Sequence, residues 1–309
     1  MRSSQSLLCL CATLLLFACQ PTNNSSQKNT VNENTLTAAY LSATVYAGST
    51  VYQFMKADGE VFDFTAGNFE EAKIEVPANI LEDPEVVDGP PGANPILIAK
   101  TFLLHKDEEG EINKISLVPG QEIFDKAILT SYQSAAQYPA HTEYYFQPHF
   151  EEEVIRFSID HDDTNPSIMI PSNLLEDPAD LPEDQTMEGP NPLVLGLEYI
   201  LSYQGDKLAK VQIVPGQFVP AKIVEATYRS AAVYAGKIEY EFRTKDKKSF
   251  LVSDGVDEEA TIEMPYNMLE DDEDLEGPPG ANPEMVGKIL ELHYDKQNRV
   301  HRILNPDRN

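Results

Sequence analysis

The chain has 309 residues and carries 51 acidic against 23 basic side chains, which gives a formal net charge of −28 at neutral pH. A polyanion of this size repels nucleic-acid phosphates and anionic lipid, so we expect no nucleic-acid partner. The sequence has three Cys and no Trp. This composition excludes a disulfide framework and sugar sites built on stacked indole rings.

The first residues have the pattern of an export signal. Arg2 supplies a positive start, and Leu7–Phe17 is an apolar run too short to span a bilayer as a helix. The run ends in the tetrad L-F-A-C at Cys19, which resembles the lipobox of bacterial lipoproteins. The resemblance covers only this signal, residues 1–18. It implies cleavage directly before Cys19, lipidation of its thiol, and a mature protein held on the membrane by its N-terminal lipid.

Residues 19–37 form the next segment, which is polar and rich in Asn, Ser, Thr and Gln. Such a composition buries too little surface to fold, so we expect a flexible tether. A tether of this kind has a reach of roughly 23 Å. Gln20 after the Cys resembles lipoproteins of the bacterial outer membrane, and we expect the protein on the periplasmic side of that membrane rather than on the cell surface.

A ten-residue pattern, I-x-[VIM]-P-x-N-x-L-E-D, occurs three times with a spacing of 94 residues. The copies are Ile74–Asp83, Ile168–Asp177 and Ile262–Asp271, and a Tyr-x-Ser-Ala motif precedes each one. The repeats predict three modules at 38–121, 122–217 and 218–309. Tandem copies are typical of scaffolds and binding arrays, whereas an enzyme seldom needs three active sites.

The apolar residues within each module alternate with a period of two, which is typical of β-strands. Tyr40, Ser42, Thr44 and Tyr46 are predicted to share one face of a strand, and Glu239–Phe242 alternates charged and aromatic side chains. A short segment such as Ile74–Val76 is predicted as a further strand. The fold class is therefore all-β, with about six short strands per module, and we expect a small OB-like or SH3-like barrel or a sandwich.

The repeated motif pairs an Asn with a Glu three residues later, the spacing of a helix capping box. We therefore predict a one-turn helix that closes each module, with Leu81 and its equivalents plugging the end of the barrel. Short joints between modules, such as residues 118–121, predict that neighbouring modules touch. The predicted capping residues are Asn79, Glu82, Asn173, Glu176, Asn267 and Glu270.

An acidic loop rich in Pro and Gly follows each motif. The nearest approach to a calcium loop is in module 3, where Asp272, Asp274 and Glu276 are followed by Gly277. Position 12 of that loop is Pro283, where an EF-hand needs a bidentate Glu, and the other modules do not keep the spacing. These carboxylates are candidate Ca²⁺ ligands, and a solvated acidic loop is the alternative.

The chain has no nucleophile-elbow, zinc-protease, P-loop or dinucleotide-binding motif. His161 lies among acidic residues, but its segment is typical of a turn. The sequence therefore favours a lipid-anchored, non-enzymatic envelope protein without a cofactor that binds a protein partner. A Ca²⁺-binding envelope protein and an envelope hydrolase are the alternatives. A row of exposed aromatic residues across the modules would indicate a binding face.

Overall fold

A computed structural model describes residues 34–67, 74–85, 89–149, 151–163, 167–181, 187–234, 236–256, 260–270 and 279–306. Within these ranges, fifteen strands form three five-stranded sheets, and one short 3₁₀ helix spans Pro178–Asp180. The prediction of an all-β chain with three repeated modules is confirmed. Each predicted module contributes one sheet, and its strands are paired antiparallel throughout.

The strands have the following bounds. Module 1 contains β1 (Thr35–Val45), β2 (Ser49–Met55), β3 (Val61–Gly67), β4 (Thr101–Lys106) and β5 (Ile112–Leu117). Module 2 contains β6 (Lys126–Gln137), β7 (His141–Pro148), β8 (Ile155–Asp160), β9 (Glu198–Gln204) and β10 (Lys207–Ile213). Module 3 contains β11 (Lys222–Tyr234), β12 (Lys237–Thr244), β13 (Ser249–Gly255), β14 (Ile289–Tyr294) and β15 (Val300–Leu304).

The first strand of each module is the longest and lies at the centre of its sheet, in the order β3-β2-β1-β4-β5 and its equivalents. In module 1 the segment Thr35–Ala39 pairs with β4, and the segment Ala39–Val45 pairs with β2. β1 thus begins at Thr35 and takes in the last residues of the predicted tether. This strand joins the two hairpins of the module, β2-β3 and β4-β5, into one sheet.

A β-bulge interrupts the long strand of every module at the same place. The register shifts between Tyr40 and Ser42 in module 1, and the same shift occurs after Tyr132 and after Tyr228. One extra residue reverses the alternation of the strand. Tyr40 is therefore buried, whereas Ser42 and Thr44 are exposed. The prediction that these three side chains share one face is wrong.

The cores of modules 1 and 2 each contain a cluster of rings contributed by the three inner strands. In module 1 the centroids of Tyr40, Phe54 and Phe102 lie 5.4 to 6.1 Å apart, in tilted and edge-to-face contacts. Module 2 repeats the arrangement, with the ring of Tyr199 at the position of Phe102. These contacts are geometries that aromatic pairs favour. The alternation predicted for Glu239–Phe242 is confirmed, because Tyr240 and Phe242 are both buried in the core of module 3.

The strand predicted at Ile74–Val76 is reduced to one bridge. Glu75 pairs in parallel with Lys114 of β5, through hydrogen bonds from Glu75 N to Asn113 O (3.1 Å) and from Ile115 N to Glu75 O (2.7 Å). The same parallel bridge recurs in the other modules. The segment that follows β3 in the chain therefore contacts the opposite edge of the same sheet.

The predicted one-turn helix is wrong in all three modules. Residues 77–80 form a turn closed by a hydrogen bond from Ile80 N to Pro77 O, and Leu81 then makes an antiparallel bridge with Ala93. The fully buried plug is Ile80, with Leu174 and Met268 at the equivalent positions, rather than Leu81. A proline before the turn and a bridge directly after it leave no room for a helical turn.

Modules 1 and 2 share a hydrophobic core. Ile200 and Val214 of module 2 are buried in the core cluster of module 1. Leu41, the bulge residue of module 1, is also buried and faces Gly216, which follows β10 at the end of module 2. The joint segment after β5 is anchored to module 1, because the side chain of Gln121 accepts a hydrogen bond from the amide of Thr101 (2.8 Å) and donates one to its carbonyl (2.7 Å). The core cluster of module 3 contains residues of module 3 alone.

Candidate functional site

The glutamate of the repeated motif holds the acidic loop closed. The Glu82 carboxylate accepts a hydrogen bond from the Gly92 amide at 2.9 Å, ten residues further along the chain, instead of from a helix N-terminus. A Cβ on Gly189 would lie 2.8 Å from the carboxylate oxygen of Glu176, so a side chain at this position would require the glutamate to shift. The equivalent bonds are Gly189 N to Glu176 (2.9 Å) and Gly280 N to Glu270 (3.1 Å).

The asparagines of the motif contribute mainly through their backbone. The side-chain amide of Asn94 donates to the carbonyl of Asn79 at 2.9 Å, and that of Asn191 donates to the carbonyl of Asn173 at the same distance. The side-chain oxygen of Asn267 is buried and accepts no hydrogen bond within the described part of the chain. None of the three residues caps a helix, so the predicted capping box does not form.

A buried tyrosine joins the turn of the repeated motif to the core in every module. The Tyr40 hydroxyl donates to the carbonyl of Ile80 at 3.0 Å, and Tyr132 and Tyr228 donate to the equivalent carbonyls at 2.8 Å. Burial raises the pKa of these phenols well above the ordinary value, so they stay neutral donors. Each recurrent residue of the motif therefore has a structural role, and the motif is a scaffold rather than a chemical site.

Other predicted site residues lie outside the described residues. These are Cys19, the predicted lipidation site, and the candidate Ca²⁺ ligands Asp272, Asp274 and Glu276. Within the described ranges, no three His, Cys, Asp or Glu side chains come together as a metal site. No helix of that same part of the chain has the length and apolarity to cross a bilayer.

An exposed tyrosine recurs at one position of all three modules, at the end of the central strand. Tyr46, Tyr138 and Tyr234 are 56%, 42% and 52% exposed. Each stands eight residues before a core phenylalanine, at the turn into the second strand. Burial accounts for the other recurrent aromatic residues of the modules, but it does not account for these three.

The turn itself does not require a tyrosine. Its hydrogen bonds use the backbone: Tyr46 N donates to Ser49 O, and Tyr138 N donates to His141 O, both at 2.8 Å. The local ring contacts also differ between modules. The ring of Tyr138 stacks on His141 with centroids 4.9 Å apart, whereas that of Tyr234 lies 5.7 Å from the ammonium of Lys237. The constant feature is the exposed ring.

Module 2 adds a polar cluster beside its exposed tyrosine. The Tyr145 hydroxyl donates to Glu143 at 2.6 Å, and this bond lowers the pKa of Glu143. Arg156 on the neighbouring strand lies 3.8 Å from the same carboxylate, and His141 lies 3.6 Å from its other oxygen. Tyr144 points into the core, so these adjacent tyrosines face opposite sides of the strand. The outer face of this hairpin thus presents aromatic and polar groups together.

Part of this site could be read from the sequence. The constant spacing of Tyr46, Tyr138 and Tyr234 before the core phenylalanines is a sequence feature, but their exposure depends on the bulge, which no residue pattern indicates. The chain matches no protein-family model, and no curated protein or solved structure matches it significantly. The repeated surface geometry therefore carries the functional argument.

Proposed function

We propose that this chain is a lipid-anchored, non-enzymatic protein of the bacterial envelope whose three β modules form a binding array for a protein partner. The observation that carries the proposal is the exposed tyrosine retained at the same position of all three modules. Tyrosine is enriched at protein interfaces because its rigid ring buries a large area while its hydroxyl stays solvated. Three copies on one chain also raise the effective concentration of the second and third contacts.

We infer further that each module is an OB-like, partly open barrel. The pairing order is compatible with such a barrel, and the parallel bridge between Glu75 and Lys114 supports the proposal because it joins the segment after β3 to the opposite edge of the sheet. In OB-like domains, the loop between the first two strands contributes to ligand binding. The exposed tyrosines lie at that loop. This is an analogy of fold, and the tyrosines themselves support the function.

The net charge of the chain limits the class of partner that it can bind. The OB-like fold often binds oligonucleotides, but a net charge of −28 opposes contact with phosphates. A protein surface that is neutral or basic meets no such barrier. In this proposal, lipidated Cys19 and the polar tether hold the modules near the periplasmic face of the outer membrane. The fixed joint between modules 1 and 2 would keep two of the binding loops in a constant relation.

The proposal is tested by chemical cross-linking of the tagged, lipidated chain in living cells. The test variant replaces Tyr46, Tyr138 and Tyr234 together with Ser. The matched control replaces three other half-exposed apolar residues, one per module, with Ser. These are Val61, Met169 and Ile289, which are 42%, 53% and 50% exposed.

We expect one dominant cross-linked envelope protein with the wild type and the control, and its loss with the tyrosine variant. Single replacements should each weaken capture, because the modules act together. Equal capture by the tyrosine variant and the wild type would overturn the assignment of the binding surface. An abundant, folded protein that captures nothing would overturn the partner-binding function.

A further inference from the structure

The joint between modules 2 and 3, residues 214–221, differs from the joint between modules 1 and 2, residues 118–125. Both joints begin with the sequence Val-Pro-Gly-Gln. A Cβ on Gly120 of the first joint would meet no atom within 4 Å, whereas a Cβ on Gly216 of the second would lie 3.1 Å from the Leu41 side chain of module 1. The second joint therefore contacts module 1 as well as the two modules that it connects.

Modules 1 and 2 together hold the first half of the second joint. Val214 is buried in the core cluster of module 1, and Leu41 of the same module contacts Gly216. The side chain of Gln217 accepts a hydrogen bond from Glu198 N of module 2 and donates one to Glu198 O, both at 2.8 Å. The joint thus begins from a fixed position on the unit that modules 1 and 2 form.

Module 3 holds the second half of this joint. The ring of Phe218 packs against the imidazole of His301 on β15, with ring centroids 4.0 Å apart. Three residues later, Ala221 N donates a hydrogen bond to Tyr294 O of β14 at 2.8 Å. The first joint has the exposed Glu122 at the position of Phe218. The ring contact is therefore particular to the second joint.

The orientation of module 3 depends on this joint rather than on a shared core. Among the described residues, the core cluster of module 3 contains no side chain of modules 1 and 2. Residues 218–221 connect the anchored Gln217 to β11. Within them, Pro220 has a fixed φ and restricts Val219 to an extended conformation. A connection this short and restricted can transmit an orientation when its side chains are held at both ends.

We propose that the joint fixes module 3 relative to modules 1 and 2, with Gly216 and Phe218 as its positioning residues. The three exposed tyrosines, Tyr46, Tyr138 and Tyr234, then keep one constant spacing. The inference deepens the proposed function and rests on it, because a constant spacing matters only for a partner that contacts more than one module. The gain from several contacts is greatest when the sites of the partner match that spacing. The partner is therefore a rigid protein surface with matching contacts rather than a flexible tail.

The test measures distances between modules by double electron–electron resonance in the purified full-length chain in detergent, with no partner present. Nitroxide labels are attached in pairs to a bio-orthogonal amino acid at one exposed turn position of each module. These positions are Glu108, Asp206 and Lys296.

Two variants disturb the two halves of the joint, and each has a matched control. Phe218→Glu introduces the residue type of the first joint, and Val219→Glu adds the same charge at the neighbouring exposed position. Gly216→Asp places a side chain against Leu41, and Gly120→Asp places the same side chain in open space. The two glycines have similar φ values, 85° and 82°, so the backbone strain is matched. Phe218→Tyr retains the ring and tests rescue.

We expect one narrow distance distribution for every label pair in the wild type. Phe218→Glu and Gly216→Asp should broaden the two distributions that involve module 3 by at least about twofold, because an unanchored joint lets that module turn. The distance between modules 1 and 2 should stay unchanged, and both controls and Phe218→Tyr should keep all three distributions narrow.

A broad wild-type distribution to module 3 overturns the inference. So does a distribution that stays narrow in Phe218→Glu or Gly216→Asp, or one that broadens equally in the matched controls. If the inference fails while cross-linking in cells still depends on the exposed tyrosines, the proposed function stands with modules that move independently. If the distances behave as expected and no protein is captured, the proposed function alone is overturned.

Discussion

Two buried tyrosines of module 2 provide a matched test of how the modules are held together. Tyr132 and Tyr199 are both fully buried, and their ring centroids lie 6.0 Å apart. The Tyr132 hydroxyl donates to the carbonyl of Leu174 at 2.8 Å. The Tyr199 hydroxyl has no hydrogen-bond partner among the described residues. Replacing each tyrosine with Phe removes the same atom from the same core, so the two variants differ mainly in hydrogen bonding.

The structure predicts that the two replacements change the free energy of unfolding in opposite directions. Tyr132→Phe loses one buried hydrogen bond, which lowers the free energy of unfolding by about 1 kcal/mol. The loss stays near that value because the Leu174 carbonyl also accepts a hydrogen bond from Asn191 N at 2.9 Å. Tyr199→Phe removes a hydroxyl buried without a partner, whose desolvation costs about 1–3 kcal/mol. We therefore expect Tyr199→Phe to raise stability by about 1 kcal/mol after the small cavity is allowed for.

The assay is urea unfolding of the purified chain followed by far-ultraviolet circular dichroism, with hydrogen exchange of module 2 peptides to locate the change. The two variants should differ by about 2 kcal/mol, or by about 4–8 °C in melting temperature for a unit the size of modules 1 and 2 together. Equal destabilisation by both replacements would refute the reasoning. It would show that ring packing or an unseen partner of Tyr199, rather than the hydrogen bond to Leu174, decides stability.

The remaining predictions concern the module contact, one turn and pH. Ile200→Ala should lower the free energy of unfolding of the shared unit of modules 1 and 2 by about 2–5 kcal/mol. A separate calorimetric transition of module 3 should stay unchanged. A single transition that shifts for all three modules would contradict this prediction. Ala99 has a φ of 65°, and at the equivalent position of module 3 Gly287 has a φ of 91° with open space around a Cβ. In urea unfolding, Ala99→Gly should therefore stabilise and Gly287→Ala destabilise by about 1 kcal/mol each. A change of stability in the same direction for both variants would contradict the claim that the backbone of Ala99 is strained. Burial raises the pKa of Tyr199 to about 12, whereas an unfolded tyrosine has a pKa of about 10. The part of the free energy of unfolding that depends on the protonation of Tyr199 should therefore be fully present below pH 10 and fall as the pH rises towards 12. Tyr199→Phe should lose less stability at alkaline pH than the wild type.

The strand pattern was predictable because it depends on neighbouring residues. The alternation of Tyr52 and Phe54, or of Phe102 and Leu104, places these side chains inward on β2 and β4, where they are buried. The bulge at Leu41 was not predictable, because the extra residue carries no sequence signal of its own. Its side chain is apolar in module 1, but Gln133 and Arg229 occupy the equivalent positions. The sequence therefore could not predict which side chains of the first strand face inward after the bulge.

Features that join distant segments could also not be predicted from the sequence. The spacing of Asn79 and Glu82 fits a capping box, but the Glu82 carboxylate reaches Gly92 across the loop. A local motif cannot reveal such a bond, because its partner lies ten residues further along the chain.

The most direct test of the central claim is site-specific photo-cross-linking in cells. A photoreactive phenylalanine analogue replaces Tyr46, Tyr138 and Tyr234 in turn in the lipidated chain, and Ile289 as a control of similar exposure. The account predicts that all three tyrosine positions capture the same envelope protein and that Ile289 does not. Capture at none of the three positions, or of the same protein equally at Ile289, would contradict the claim that the repeated tyrosines form the binding array.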